Sequence, residues 1–306
     1  MRALKKVATR VIARNKVTKQ SHKYSINKEI ATSLRDNDKD GGNSRGVNVI
    51  LDKIVEIKRR EVAGRKETIP LRALERMITG MPPARDFQAA LNVGAGCAII
   101  AEVKRRSPSW GLLRADFDPV RIAREYESHG AAAISVLTDE TFFGGSDADL
   151  TSVKDAVTLP ILRKEFIIDP YQVYETRAIG ADALLLIAAI LTEGQLREYR
   201  ELAASLGLAA LVEIHTRAEL EKTLAAGAEI VGINNRDLKT FVTDIRTSVE
   251  FASLIPKDRI AVSESGIRNR QDVEVLTKAG VRAFLIGETL VAAPKIGPKL
   301  LELLGK

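Results

Sequence analysis

Two sets of charged residues stand where charge is expensive. Glu102 and Lys104 lie two apart in Ala101-Glu102-Val103-Lys104-Arg105-Arg106-Ser107-Pro108, directly after the apolar run Cys97-Ala98-Ile99-Ile100. Lys164 and Glu213 interrupt apolar runs in Ile161-Leu162-Arg163-Lys164-Glu165-Phe166 and Leu211-Val212-Glu213-Ile214-His215. Short apolar runs bounded by turn signals read as buried strands. Strand side chains alternate faces, so Ile100, Glu102 and Lys104 share one face, and Lys164 shares a face with Phe166. Charges on a buried strand are costly unless paired, and such groups often mark a site, although a plain strand-end salt bridge accounts equally well for Glu102 and Lys104 alone. The chemistry these types support is acid–base work on an anionic substrate. Apolar walls lower a lysine's pKa and make it a better proton donor near neutral pH, while a neighbouring carboxylate opposes that shift. The sequence leaves the sign open.

Other strand ends carry polar groups too. Val231-Gly232-Ile233-Asn234-Asn235-Arg236-Asp237-Leu238 ends in Asn234 and Arg236, Ser263-Glu264-Ser265-Gly266 ends another run, and Leu285-Ile286-Gly287-Glu288 a third. Ser265-Gly266 and Gly287-Glu288 present backbone N–H groups of the kind that seat a phosphate. His22, His129 and His215 are isolated from other ligand types, so neither a metal nor a cofactor is expected. Ser263 and Ser265 lack the setting of an acyl-transfer nucleophile.

The elements that would hold these groups alternate regularly. Strands are predicted over 98–104, 131–138, 160–166, 182–189, 209–215, 229–235, 259–265 and 283–287. Helices are predicted over 118–129, 147–157, 170–179, 193–206, 216–226, 244–254, 269–279 and 294–304, several of them closed by a C-cap glycine. Eight β/α units in about 200 residues match a closed (β/α)8 TIM barrel, an α/β fold whose catalytic groups sit at the carboxyl ends of the strands. A doubly wound open sheet is the runner-up, but its G-x-G-x-x-G fingerprint is missing after the first strand. Two further helices, 48–64 and 71–78, precede the first strand as an N-terminal helical extension of the barrel domain, 47–306.

The net charge of +7 invites a nucleic-acid reading, which its distribution opposes. Residues 1–46 hold twelve Lys/Arg against four Asp/Glu, and the remainder is balanced at 35 against 36. Residues 1–46 read as a basic flexible extension, closed by the polar linker Asn37–Ser44. Two origins fit it: an organelle transit peptide, since its first 28 residues contain no acid, or residues upstream of a true start near Val47 or Val49. The single cysteine, Cys97, excludes an intrachain disulfide framework and favours a reducing compartment, and no apolar run is long enough to span a membrane. A cytoplasmic monomer is expected, with import into an organelle if residues 1–46 are a true transit peptide.

Taken together, the motifs resemble indole-3-glycerol phosphate synthases of tryptophan biosynthesis. The resemblance runs through Ala101–Pro108, Val136–Thr138, Phe142–Ser146, Leu162–Phe166, Ile168-Asp169, Ala183–Ile187, Leu211–His215, Gly232–Leu238, Ser263–Ile267 and Phe284–Gly287, in the family's order, and covers about residues 49–304. It implies ring closure of 1-(2-carboxyphenylamino)-1-deoxyribulose 5-phosphate with loss of carbon dioxide and water. By that resemblance Lys164 is the general acid that protonates the ketone. Glu213 stabilises the cationic intermediate or serves the dehydration. Lys104, with Glu102, holds the substrate carboxylate or acts in the second proton transfer. Asn234 and Arg236 orient hydroxyls and acidic groups, and Glu264 lines the substrate. Ser107, Ser265, Gly266 and Gly287 bind phosphate, while Phe143, Phe166, Leu185 and Leu238 sandwich the aromatic ring; for these four the alternative is barrel core. Family members often carry Ser where Glu288 stands, and a carboxylate there repels phosphate unless it turns outward, so the phosphate expectation rests on backbone N–H groups. The loop 107–117, with Trp110, is a candidate cover. Rival readings are a phosphosugar isomerase barrel, which needs neither the two lysines nor Glu213, and a degenerate barrel whose basic tail grips nucleic acid.

Overall fold

The computed structural model describes residues 49–94, 96–107, 111–237, 240 and 242–306. The expected extension 1–46, Trp110 and the ring-wall candidate Leu238 lie outside the described residues. Eight parallel strands close into a barrel: β1 (Ala98–Val103), β2 (Ala133–Leu137), β3 (Ile161–Lys164), β4 (Ala183–Ile187), β5 (Ala209–Ile214), β6 (Ile230–Asn234), β7 (Ile260–Glu264) and β8 (Ala283–Ile286). Each strand pairs with the next in sequence, and β8 closes on β1 through Ile100↔Leu285 and Ala101↔Ile286. All eight expected strands are present, each shorter than predicted by one to three residues. The residues trimmed lie mostly at the strand ends, in the loops that carry the polar groups.

Alternation sorts the apolar residues into two clusters. Ile99, Ala101, Val103, Ile134, Val136, Leu184, Val212, Ile233 and Phe284 face the surrounding helices. Ala98, Ile100, Leu162, Leu185, Ile187, Leu211, Val262 and Leu285 fill the barrel. A five-residue helix that periodicity did not reveal, Phe87–Leu91, places Phe87 and Leu91 in that inner cluster. The inner positions that remain, at the carboxyl ends, are Glu102, Lys164, Glu213, Asn234 and Glu264.

The connecting helices begin where a side chain can satisfy their free N–H groups. Asp118, Ser146, Asp169, Thr192, Thr216 and Asn269 each accept a backbone hydrogen bond from the first turn that follows. At the other end the expected glycines adopt left-handed conformations, as at Gly180 (φ 91°) and Gly227 (φ 80°). Before the barrel, α1 (Val49–Thr68) runs four residues beyond the predicted end, and Leu71–Ile78 matches its prediction. The segment after β1, expected as a loop and candidate cover, contains a short antiparallel pairing, with Arg106 opposite Leu112 and Ser107 opposite Gly111. No helix among the described residues is long and apolar enough to cross a membrane.

Phe284 is fully buried between sheet and helices. Phe284→Ala is expected to lower stability by about 3–5 kcal/mol, read by chemical denaturation.

Candidate active site

The register that closes the barrel brings the charged strand ends to one mouth. Lys164 Nζ lies 2.5 Å from Glu264 Oε2 and 3.4 Å from Glu213 Oε2. Lys104 Nζ lies 2.8 Å from Glu102 Oε1 and 3.7 Å from Glu288 Oε1. Arg236 donates to Glu288 Oε2 at 2.9 Å, and its backbone N–H donates to Asn234 Oδ1 at 3.0 Å. Glu288 therefore turns toward the cations of the mouth instead of outward to solvent. The rings of Phe143 and Phe166 stand with centroids 6.2 Å apart, tilted by 33°. Leu185 sits in the inner cluster at the level of Leu211, one step below Ile187 and Glu213, and Phe166 packs against that cluster. Ser107, in the pairing after β1, is buried.

The electrostatics settle the open sign. Burial alone lowers the Lys164 pKa, but the carboxylates of Glu264, Glu213 and Glu102 outweigh it and hold the ammonium above its ordinary value. Lys104 pairs Glu102, which leaves Lys164 between two carboxylates, and burial with repulsion from Glu213 raises Glu264 to about 7 despite Lys164. Its Oε1 has no hydrogen-bond partner, consistent with a carboxyl that holds a proton near neutrality. Glu213 goes the other way. Burial raises it, yet Lys164, His215 and Asn234 bring it well below the usual carboxylate range. Glu288, which burial also raises, is held down by Lys104, Arg236 and a hydrogen bond from Ser107.

Ser265 and Gly266 occupy consecutive left-handed conformations, φ 67° and 80°, and Ser265 is the one non-glycine residue so placed among those described. The turn is held by Asn235, whose Nδ2 donates to Ser265 O at 2.9 Å and to Ser263 Oγ at 3.0 Å. Such a turn aims backbone N–H groups at one point, as an anion seat requires. Gly287 follows β8 for a steric reason: a Cβ there would lie 2.3 Å from Glu102 Oε1. Gly232 makes the same room for Glu264, whose Oε1 would lie 2.2 Å from an added Cβ.

A family model described as indole-3-glycerol phosphate synthase matches residues 51–303. The chain belongs to the indole-3-glycerol phosphate synthase family. It is 48% identical over 255 residues to the indole-3-glycerol phosphate synthase of Alkaliphilus metalliredigens, covering 83% of this chain and 98% of that protein. The enzyme of the same name from Burkholderia vietnamiensis is 49% identical over 254 residues, covering 82% and 97%. Solved structures share the fold at low identity. 3-Hexulose-6-phosphate synthase aligns with a TM-score of 0.55 at 13% identity, over 68% of this chain and 98% of that one. A thiamine phosphate pyrophosphorylase from Pyrococcus furiosus aligns with a TM-score of 0.52 at 15% identity, over 67% and 93%. The protein is thus an enzyme of tryptophan biosynthesis, a carboxy-lyase acting on a small phosphorylated substrate.

In this indole-3-glycerol phosphate synthase fold, the sequence reading missed a cation. From sequence, His215 reads as a histidine without metal-ligand neighbours. It lies on β5's loop with Nε2 3.3 Å from Glu213 Oε1 and Nδ1 3.3 Å from Glu219 Oε2. The Glu213-x-His215-x-x-x-Glu219 spacing was visible, but nothing in it shows that the loop folds back to pair them. Burial alone lowers the imidazolium pKa, yet the Glu213 and Glu219 carboxylates, each 3.3 Å from a ring nitrogen, raise it to about 9. A raised cationic group contributes stability fully below its unfolded value near 6.5 and loses it as pH rises through about 9. His215→Asn is therefore expected to remove a fall in melting temperature between pH 6.5 and 9 that the unsubstituted protein shows, read by thermal denaturation across that range. Glu264, an acid whose pKa is also raised, gives the same sign at lower pH: stability falls as pH rises from its ordinary value of 4.5 to about 7, and the carboxyl is expected to titrate near 7 in a carboxyl-labelled NMR experiment, with that transition absent in Glu264→Gln.

Proposed function

We propose that the cluster at the mouth divides the family's reaction, ring closure of 1-(2-carboxyphenylamino)-1-deoxyribulose 5-phosphate to indole-3-glycerol phosphate, as follows. The aryl carbon bearing the carboxylate attacks the ketone while Lys164 gives its proton to the ketone oxygen. Loss of carbon dioxide restores the aromatic ring. The hydroxyl so formed takes a proton from Lys104, which the departed carboxylate no longer engages, and leaves as water, pushed by the ring nitrogen; loss of the final proton completes the indole. Glu213, held ionised by Lys164 and His215, stabilises the cation formed when water leaves and takes that proton. Lys104, with Glu102, holds the substrate carboxylate until it departs. Asn234 and Arg236 orient the hydroxyls, and Glu264 sets the charge around Lys164.

The observation that carries this reading is the contact of Lys164 with Glu213 and Glu264 from three different strands. A lysine whose ammonium is stabilised is protonated at any physiological pH, so the acid is always loaded. The alkoxide forming on the ketone is basic enough to take the proton. Phe143, Phe166 and Leu238 would enclose the ring, with Leu185 in the floor, and a water-excluding wall strengthens every charge interaction inside it. The backbone N–H groups of Ser265, Gly266 and Gly287, with the Ser107 hydroxyl, would seat the phosphate. That the Glu288 carboxylate lies against Arg236 and Lys104 means these cations are paired before an anionic substrate enters. The same reading takes residues 47–306 as the catalytic domain, acting in the cytoplasm as a monomer without nucleic acid. Residues 1–46 then lie outside the activity.

Product fluorescence after mixing with substrate tests the whole scheme. Lys164→Ala is expected to lower kcat by about 10³-fold or more while product affinity changes by less than about three-fold. An active Lys164→Ala enzyme would remove Lys164 as the acid. A chain starting at Asn48 is expected to keep full kcat, and loss of activity on that truncation would overturn the division of the chain.

A further inference from the structure

The described structure holds a second buried ion cluster that takes no part in the scheme above. Lys58 sits on α1, outside the barrel, yet is only 1% exposed. Its Nζ lies 2.7 Å from Glu61 Oε2, 3.0 Å from Asp139 Oδ2 and 3.0 Å from Glu165 Oε1. Burial works against the ammonium, but Glu165, Asp139 and Glu61 outweigh it and hold Lys58 firmly charged.

What those acids do with their other contacts gives the cluster a task. Asp139, just after β2, accepts the backbone N–H groups of Phe142 at 2.6 Å and Phe143 at 3.1 Å. Glu165, just after β3, accepts the backbone N–H of Phe166 at 2.8 Å and the Thr138 hydroxyl at 3.2 Å. One ammonium therefore touches both carboxylates that grip the backbones of the two facing rings. A helix merely stapled to the barrel would need only one such pair, with no relation to Phe143 and Phe166.

We propose that Lys58 is a positioning residue of the aryl site. From a helix outside the barrel it fixes the spacing of Phe143 and Phe166, and thereby the fit of the substrate's aromatic ring. The inference rests on the reading that these two rings flank the aryl group. It acts through Asp139 and Glu165 and touches no reacting atom.

The test separates ring recognition from phosphate recognition in the full chain. Titrations use indole-3-glycerol phosphate and glycerol 3-phosphate, which lacks the ring. Lys58→Met is expected to weaken the indole product and raise KM by about ten-fold, with kcat and glycerol 3-phosphate affinity within about three-fold. Phe166→Ala is the reference. If it leaves product affinity unchanged, the ring-wall reading itself fails. If it weakens the product selectively while Lys58→Met weakens both ligands alike, or neither, the positioning role of Lys58 fails alone. Should Lys58→Met not fold, Glu165→Gln keeps an acceptor for the Phe166 N–H but cancels the charge that Lys58 meets. A selective loss of about two- to five-fold then supports the proposal, and an equal loss or none overturns it.

Discussion

The mouth of the barrel depends on a mismatch in charge: Glu102 has its own lysine, Lys104, while one buried ammonium, Lys164, faces both Glu213 and Glu264. Carboxylates outnumbering their cation in a low-dielectric setting cannot all ionise at ordinary pH. The structure distributes the surplus unequally. Glu213 gains a second cation in His215 and stays ionised, while Glu264, with one oxygen unpaired, is the acid left to take up a proton. Two carboxyls close to one lysine thereby acquire opposite behaviour, the arrangement that lets neighbouring groups serve different steps at one pH. Removing Lys164 would leave its carboxylates buried and uncompensated, a cost of about 3–5 kcal/mol for a buried pair. The charges are therefore specified by each other as much as by the reaction.

Much of this was legible in the sequence because strand geometry is simple. A period of two assigns Glu102, Lys164, Glu213, Asn234 and Glu264 to inner faces once the strands are found, and a closed parallel barrel turns those faces toward one opening. Direction of charge shift was not legible. An apolar run around Lys164 argues for a lowered pKa, and only the fold shows that three acids from other strands overrule the run. Lys58 was illegible for a related reason. On a helix rich in Lys, Arg and Glu it reads as part of a solvated face, and its partners Asp139 and Glu165 lie 81 and 107 positions away. The pairing after β1 and the helix Phe87–Leu91 are too short to leave a periodic signal.

The two buried clusters are linked along one strand. Arg163, Lys164 and Glu165 are consecutive, and the period of two sends the first and second to opposite faces of β3. Arg163, fully buried on the outer side, is bound to Asp147, Glu175, Thr176 and Thr138. Glu165, past the strand's end, meets Lys58 and Thr138. Thr138 is thus shared by Arg163 and Glu165, so the outer network and the loop that carries Phe166 are held through one hydroxyl. The position of Lys164 is fixed from behind by residues that never reach the mouth.

Space is the other constraint, and it explains two glycines better than turn chemistry does. Gly287 reads from sequence as a phosphate turn. The structure adds that the Glu102 carboxylate occupies the place a side chain at 287 would need, and that Glu264 does the same at Gly232. Neither clash falls on the far end of a freely moving chain, because Glu102 is bound by Lys104 and Glu264 by Lys164. Any side chain at either position would have to displace an acid from its lysine. The barrel accommodates these carboxylates only because Gly232 in β6 and Gly287 just after β8 carry no side chain at the points where those acids lie.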